Sequence, residues 1–200
     1  KLIASVLAFI MTALQFIGIS YYPFGMKADM DKFELTFEDE FEGELDRSVW
    51  SGHYVWGADS QPRKGAYWNT NLAYTKDGNL IIPMKYLSEG MGGTGAGWYS
   101  AGIDTDADSE NSFYQKYGYF EVRCILPDCP TGWAAFWLMN EGVFNEDGNG
   151  KDGTEIDIFE SDCIDNKQKN AVGINLHYDG YGDAHKKMGR LLDQAYRLQT

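Results

Sequence analysis

The chain reads as one all-β domain. Glycine is frequent, at 23 of 200 residues, and aromatic side chains make up 15%. Short alternating apolar runs are separated by turn pairs such as Asp77-Gly78, Asp147-Gly148, Asp152-Gly153 and Asp179-Gly180, the punctuation of strands joined by tight turns. No internal repeat and no linker rich in Pro and Ser divides it, and the length suffices to bury a core.

The segments follow in chain order. Residues 1–26 carry Lys1 and then no charge to Met26. The basic start, the apolar run to Ile19 and the small Gly18 and Ser20 predict a secretory signal peptide cleaved near Ser20. Its length also meets the roughly 20 residues needed for a membrane anchor. A third alternative is an apolar helix packed on the domain. Signal or anchor, either places residues 27–200 outside the cytoplasm, secreted or membrane-anchored. The glycine-rich Gly90–Gly97 lacks a following Gly-Lys-Ser/Thr and so is a hairpin or loop rather than a phosphate cradle. Tyr119–Leu126 alternates cleanly, which predicts a strand with Phe120, Val122, Cys124 and Leu126 inward, ended by Pro127. In Gly132–Leu138 the alternation puts Trp133, Ala135 and Trp137 on one face. The two tryptophans read as a sugar-stacking floor or as core packing.

Glu155-Ile156-Asp157-Ile158-Phe159-Glu160 is the most informative run. Strand alternation sets Glu155 and Asp157 on one face and Ile156 and Ile158 on the other, towards a core. It would also bury Glu160 among isoleucines, at a cost of several kcal/mol for an unpaired charge. A β-bulge at Ile158-Phe159 removes that conflict and returns Glu160 to the acidic face. Glu155 and Glu160 would then lie roughly 13 Å apart at Cα, at about 3.3 Å per step. Their carboxyl groups could close to about 5 Å, the spacing of a retaining glycosidase. Three acids so close couple their titrations, and one holds its proton to higher pH. The same string also fits a solvated acidic strand or a Ca²⁺ cluster. Gly173–Tyr178 alternates again, with Ile174 and Leu176 on the core side and Asn175 and His177 opposite. Asn175 and His177 are candidates to bind substrate, His177 through a sugar hydroxyl unless it merely fills a polar niche. From Lys186 the residues are helix formers without a β signal.

With 17 basic against 30 acidic residues the net charge is −13. That disfavours nucleic acid and anionic membranes, leaves membrane contact to residues 1–26, and favours a neutral polymer over an anionic one. Cys124, Cys129 and Cys163 are odd in number and lack metal spacing. Cys124 and Cys129 flank Pro127 across a turn that a bridge could span, but the expectation is that all three are free.

Several motifs in one order resemble glycoside hydrolase family 16, in its laminarinase-type branch. They are Phe37-Glu38-Asp39-Glu40-Phe41 with Leu45–Trp50, Asp77–Ile82, Lys116–Arg123, Gly132–Trp137 and Glu155–Glu160. The resemblance implies a jelly-roll sandwich of two antiparallel sheets, concanavalin-like, with sugar bound across the concave sheet. It implies Glu155 as nucleophile, Glu160 as general acid and then base, and Asp157 as the neighbour that orients and tunes the nucleophile. Trp133 and Trp137 match cleft aromatics, and Arg63, Tyr67 and Trp68 fall where relatives contact donor-side sugar. No cofactor is expected, although relatives often carry a structural calcium on the convex side. Family members usually continue past Lys186 with further strands, so the resemblance implies a catalytic domain cut short at its carboxyl end. The expected function is retaining endo-hydrolysis of β-glucan, most simply β-1,3-glucan, with mixed-linkage glucan or galactan as alternatives. The rival readings are a non-catalytic carbohydrate-binding sandwich and an inactive fragment.

Overall fold

The computed structural model describes residues 28–52, 66–106, 108–127, 132–161 and 172–192. The candidate signal or apolar helix, Arg63, Cys129 and Cys163 lie outside these. Among the described residues the regular structure is strand, with only single turns of 3₁₀ helix, and no helix is long and apolar enough to cross a membrane. The contacts divide the chain into two compact units, which meet between Tyr119 and Phe120 in sequence.

In Ala28–Tyr119, β1 (Ala66–Trp68), β5 (Gly97–Ser100) and β4 (Lys85–Leu87) form one sheet in the order β1-β5-β4. The β4–β5 pair is antiparallel, but β1 runs parallel to β5, which departs from the purely antiparallel expectation. Parallel neighbours need a long crossover, and the 28 residues 69–96 supply it, carrying β2 (Tyr74–Thr75), β3 (Leu80–Ile81) and β4 on the way. β2 and β3 form the hairpin that Asp77-Gly78 predicts. Both central residues have positive φ, 51° and 67°, as a type I′ turn requires. Tyr99 anchors the core at 1% exposure; its ring stacks on Tyr67 at 4.8 Å and its hydroxyl donates to the Gly95 carbonyl. The early motif is structural: Phe37 lies against Trp50 and Phe113, and the Trp50 indole N–H donates to Asp39 at 2.7 Å. Arg47 donates to the carbonyls of Thr70 and Ala73.

The second unit carries a four-stranded antiparallel sheet, β6 (Ala135–Leu138), β7 (Glu155–Ser161), β8 (Val172–Tyr178) and β9 (Lys186–Leu192), in sequence order. Residues 119–127 make no ladder among the described residues, contrary to the strand expected there, and Val122 and Ile125 are exposed. Alternation gives a segment a face to bury, but a strand also needs a neighbour for its N–H and C=O groups. Cys124 is free and exposed. The stretch expected to be helical begins with β9 instead. Seven ladder positions against β8 outweigh modest helix propensities, and Gly189 in its middle weakens a helix by about 1 kcal/mol.

β7 carries the bulge. Asp157 pairs with Asn175 and Glu160 with Gly173, three steps on β7 against two on β8. On the other side Phe159 pairs with Phe136 and Asp157 with Trp137, two steps against one. The burial of the two faces is the reverse of the expectation. Asp157 and Asn175 are 3% and 8% exposed, whereas Ile156, Ile174, Leu176 and Met188 on the other face are exposed by a third or more. Aromatic, imidazole and amide groups crowd the acidic face and shield it, while the isoleucines are left at an open surface.

Candidate active site

Directly paired residues of antiparallel strands point the same way. The pairs Glu155–His177, Asp157–Asn175, Asp157–Trp137 and Ala135–Glu160 therefore gather all three acids, Trp137, Asn175 and His177 on one face. Glu160 does not turn to the isoleucine face. Its Oε1 accepts from the Trp133 indole N–H at 2.8 Å and its Oε2 from the Asn175 amide at 2.6 Å. Asn175, expected to face substrate, thus has its amide engaged by the acid. Gly189 makes room for it, since a Cβ there would lie 2.1 Å from Asn175 Oδ1.

Glu155 sits at the other end of the row. Its Oε2 accepts a short hydrogen bond from the Tyr181 hydroxyl, and its Oε1 lies 3.9 Å from His177 Nε2. His177 Nε2 is also 3.2 Å from Asp157 Oδ2, and its Nδ1 meets His185 Nε2 at 2.9 Å, the two rings nearly parallel. Burial pushes the Glu155 carboxyl up, and the Tyr181 hydrogen bond works against that shift. Asp157 is pushed up to about 8, first by burial, then by the charges of Glu160 and Glu155 and by its hydrogen bond to Glu160. The acid that keeps its proton is therefore the central one. His177 is pushed down by burial and by Lys187 and His185, which favours neutral imidazole. The Tyr181 hydroxyl is pushed up by burial and by Glu155, so it stays a donor.

Trp133 is half-exposed and its indole N–H is committed to Glu160. Trp68 lies in β1 opposite Ser100, and Tyr67 packs on Tyr99, the ordinary packing role. Tyr181 and His185 were missed in the sequence. They lie in the loop between β8 and β9, and the Asp179-Gly180 turn announces that the chain reverses there. Among the described residues, Glu155, Asp157 and His177 bring three metal-ligating side chains together.

The family model described as Glycosyl hydrolases family 16 matches residues 60–197. Endo-1,3-1,4-beta-glycanase EglC of Rhizobium meliloti (strain 1021) is 29% identical over 182 residues, covering 80% of this chain and 36% of its own length. Endo-1,3-1,4-beta-glycanase ExsH of the same organism is 30% identical over 141 residues, covering 59% of this chain and 29% of its own. The chain thus spans about a third of the length of these curated relatives. Among solved structures, the laminarinase catalytic domain from Thermotoga maritima MSB8 matches with TM-score 0.58 at 25% identity, over 81% of this chain and 64% of that one. Porphyranase B from Zobellia galactanivorans matches with TM-score 0.56 at 21% identity, over 78% and 59%, which bears on the fold alone.

Proposed function

The chain belongs to glycosyl hydrolase family 16, and on that premise we propose that it hydrolyses β-linked glucan internally with retention of configuration. The observation that carries the reading is the single extra residue in β7, which sets Glu160 on the face of Glu155 and Asp157. In this reading Glu155 attacks the anomeric carbon while Glu160 gives a proton to the leaving glycosidic oxygen. The glycosyl–Glu155 ester then loses its sugar to a water whose proton returns to Glu160. Tyr181 O–H steadies the Glu155 carboxylate against the burial that would protonate it. Trp133 and Asn175 fix the Glu160 carboxyl in place. Asp157, carrying a proton, removes one negative charge from the row and shares a hydrogen bond with Glu160.

β-1,3-Glucan is the proposed substrate. The laminarinase neighbour and the negative charge of the chain support it, and the two endo-1,3-1,4-beta-glycanase relatives make mixed-linkage glucan the alternative. A jelly-roll sandwich and a location outside the cytoplasm belong to the same proposal, the latter from the composition of residues 1–26. Glu155→Gln should lower laminarin hydrolysis by roughly 10³-fold or more while retaining sugar binding, since one member of a two-carboxylate site is removed. Proton NMR of the first released sugar should show the β-anomer. Normal turnover in the variant, or an α-anomer, sinks the reading.

A further inference from the structure

We propose that Glu155, Asp157 and His177 form a binding site for a divalent transition metal of the zinc class, and that the metal competes with substrate. Carboxylate oxygens and an imidazole nitrogen of these residues all lie within 4.8 Å of one another. The pair His177 Nε2 and Asp157 Oδ2 is 3.2 Å apart. Ligands at about 2.0–2.1 Å from a tetrahedral zinc lie about 3.3 Å from each other, so this pair already has the spacing of one edge of such a site. Glu155 Oε1, 3.9 Å from Nε2, reaches the next corner with a small side-chain shift. Its Oε2 is the oxygen held by Tyr181, so Oε1 faces the cluster.

A second, independent observation points to a ligand here. Asp157 is 3% exposed, and its Oδ2 finds no hydrogen-bond partner among the described residues although His177 Nε2 is beside it. A buried polar oxygen without a hydrogen-bond partner is costly, and a cation between Oδ2 and Nε2 that displaces the Asp157 proton satisfies both atoms. His185 holds the opposite ring nitrogen of His177, the outer contact that orients a histidine for ligation. The mixed nitrogen and oxygen donor set suits zinc and its neighbours and is poor for calcium or magnesium, which take oxygen. The competition with substrate rests on the glycosidase reading, because the metal would occupy Glu155; the binding itself does not.

The test is titration of the full chain, stripped with EDTA and dialysed, with ZnCl₂ and separately with CaCl₂ by calorimetry in the absence of sugar. One zinc per chain is expected, with no saturable calcium heat. His177→Ala should weaken zinc binding at least tenfold, and His185→Phe roughly tenfold through loss of orientation. Asp157→Asn, close in shape to the native side chain, carries the test if circular dichroism shows His177→Ala unfolded. No stoichiometric zinc binding, or zinc affinity within twofold of wild type in the folded variant, overturns the site. In the activity arm zinc should raise the apparent KM for laminarin at constant kcat, reversed by EDTA. A fall in kcat at constant KM overturns the competition. Zinc binding without any hydrolysis overturns the glycosidase reading and leaves the metal site standing; hydrolysis without zinc binding does the opposite.

Discussion

A carboxyl group 3% exposed and facing two other carboxylates takes up a proton when the chain folds, and Asp157 keeps it up to about pH 8. Its ordinary value is 3.8, so between those limits the folded state binds the extra proton. The linked stability is full below about pH 4 and is lost as pH rises through about 8. The melting temperature should therefore fall more steeply from pH 4 to pH 8 in wild type than in Asp157→Asn, measured by thermal scans at fixed ionic strength. Equal slopes would show that Asp157 ionises normally. Tyr181 acts on the other acid. Tyr181→Phe removes the donor that opposes the burial of Glu155, so the Glu155 pKa rises and the acid limb of kcat/KM moves to higher pH. One hydrogen bond to a charged group is worth about 1.5–3 kcal/mol, so activity on the acid limb should drop about tenfold or more. An unmoved limb removes Tyr181 from the site. Neither role was legible in the sequence, because a proton's location among three acids depends on burial and partners that spacing does not encode.

β7 and β8 were legible because both alternate and because only a bulge reconciles Glu160 with its neighbours. β9 was not, because Lys, Met, Arg and Leu favour helix and its strand state comes from pairing with β8. Reading it as helix hid the return of the chain, and with it the loop that brings Tyr181 to Glu155 and His185 to His177. Gly189 was the overlooked sign. A Cβ at 189 would press on Asn175 Oδ1 at 2.1 Å, and Asn175 is one of the two N–H donors holding Glu160. Gly189→Ala should lower kcat about tenfold with a smaller change in KM, because the disturbance reaches substrate through the acid. Steady-state kinetics on laminarin decide it; a variant with unchanged kcat would mean that Asn175 does not position Glu160.

The charge of the whole chain, −13, was legible from composition alone and sets which polymers approach it. Self-repulsion of an anionic chain weakens with salt, since exposed charges are screened beyond about 8–10 Å at physiological ionic strength. A neutral glucan has no charge for that field to act on. Turnover of laminarin should therefore change little between 20 mM and 500 mM NaCl. Binding of a carboxylated or sulfated polysaccharide, if measurable, should strengthen across the same range as the repulsion is screened. The opposite trend, a sulfated polymer bound tightly at low salt and released at high salt, would require a local cationic groove strong enough to overcome the net field. Lys187 is the one cation whose charge is felt at both Glu155 and Asp157 among the described residues. A single lysine beside three carboxylic acids does not reverse their sign, so the site and the whole molecule alike favour the proposed neutral substrate.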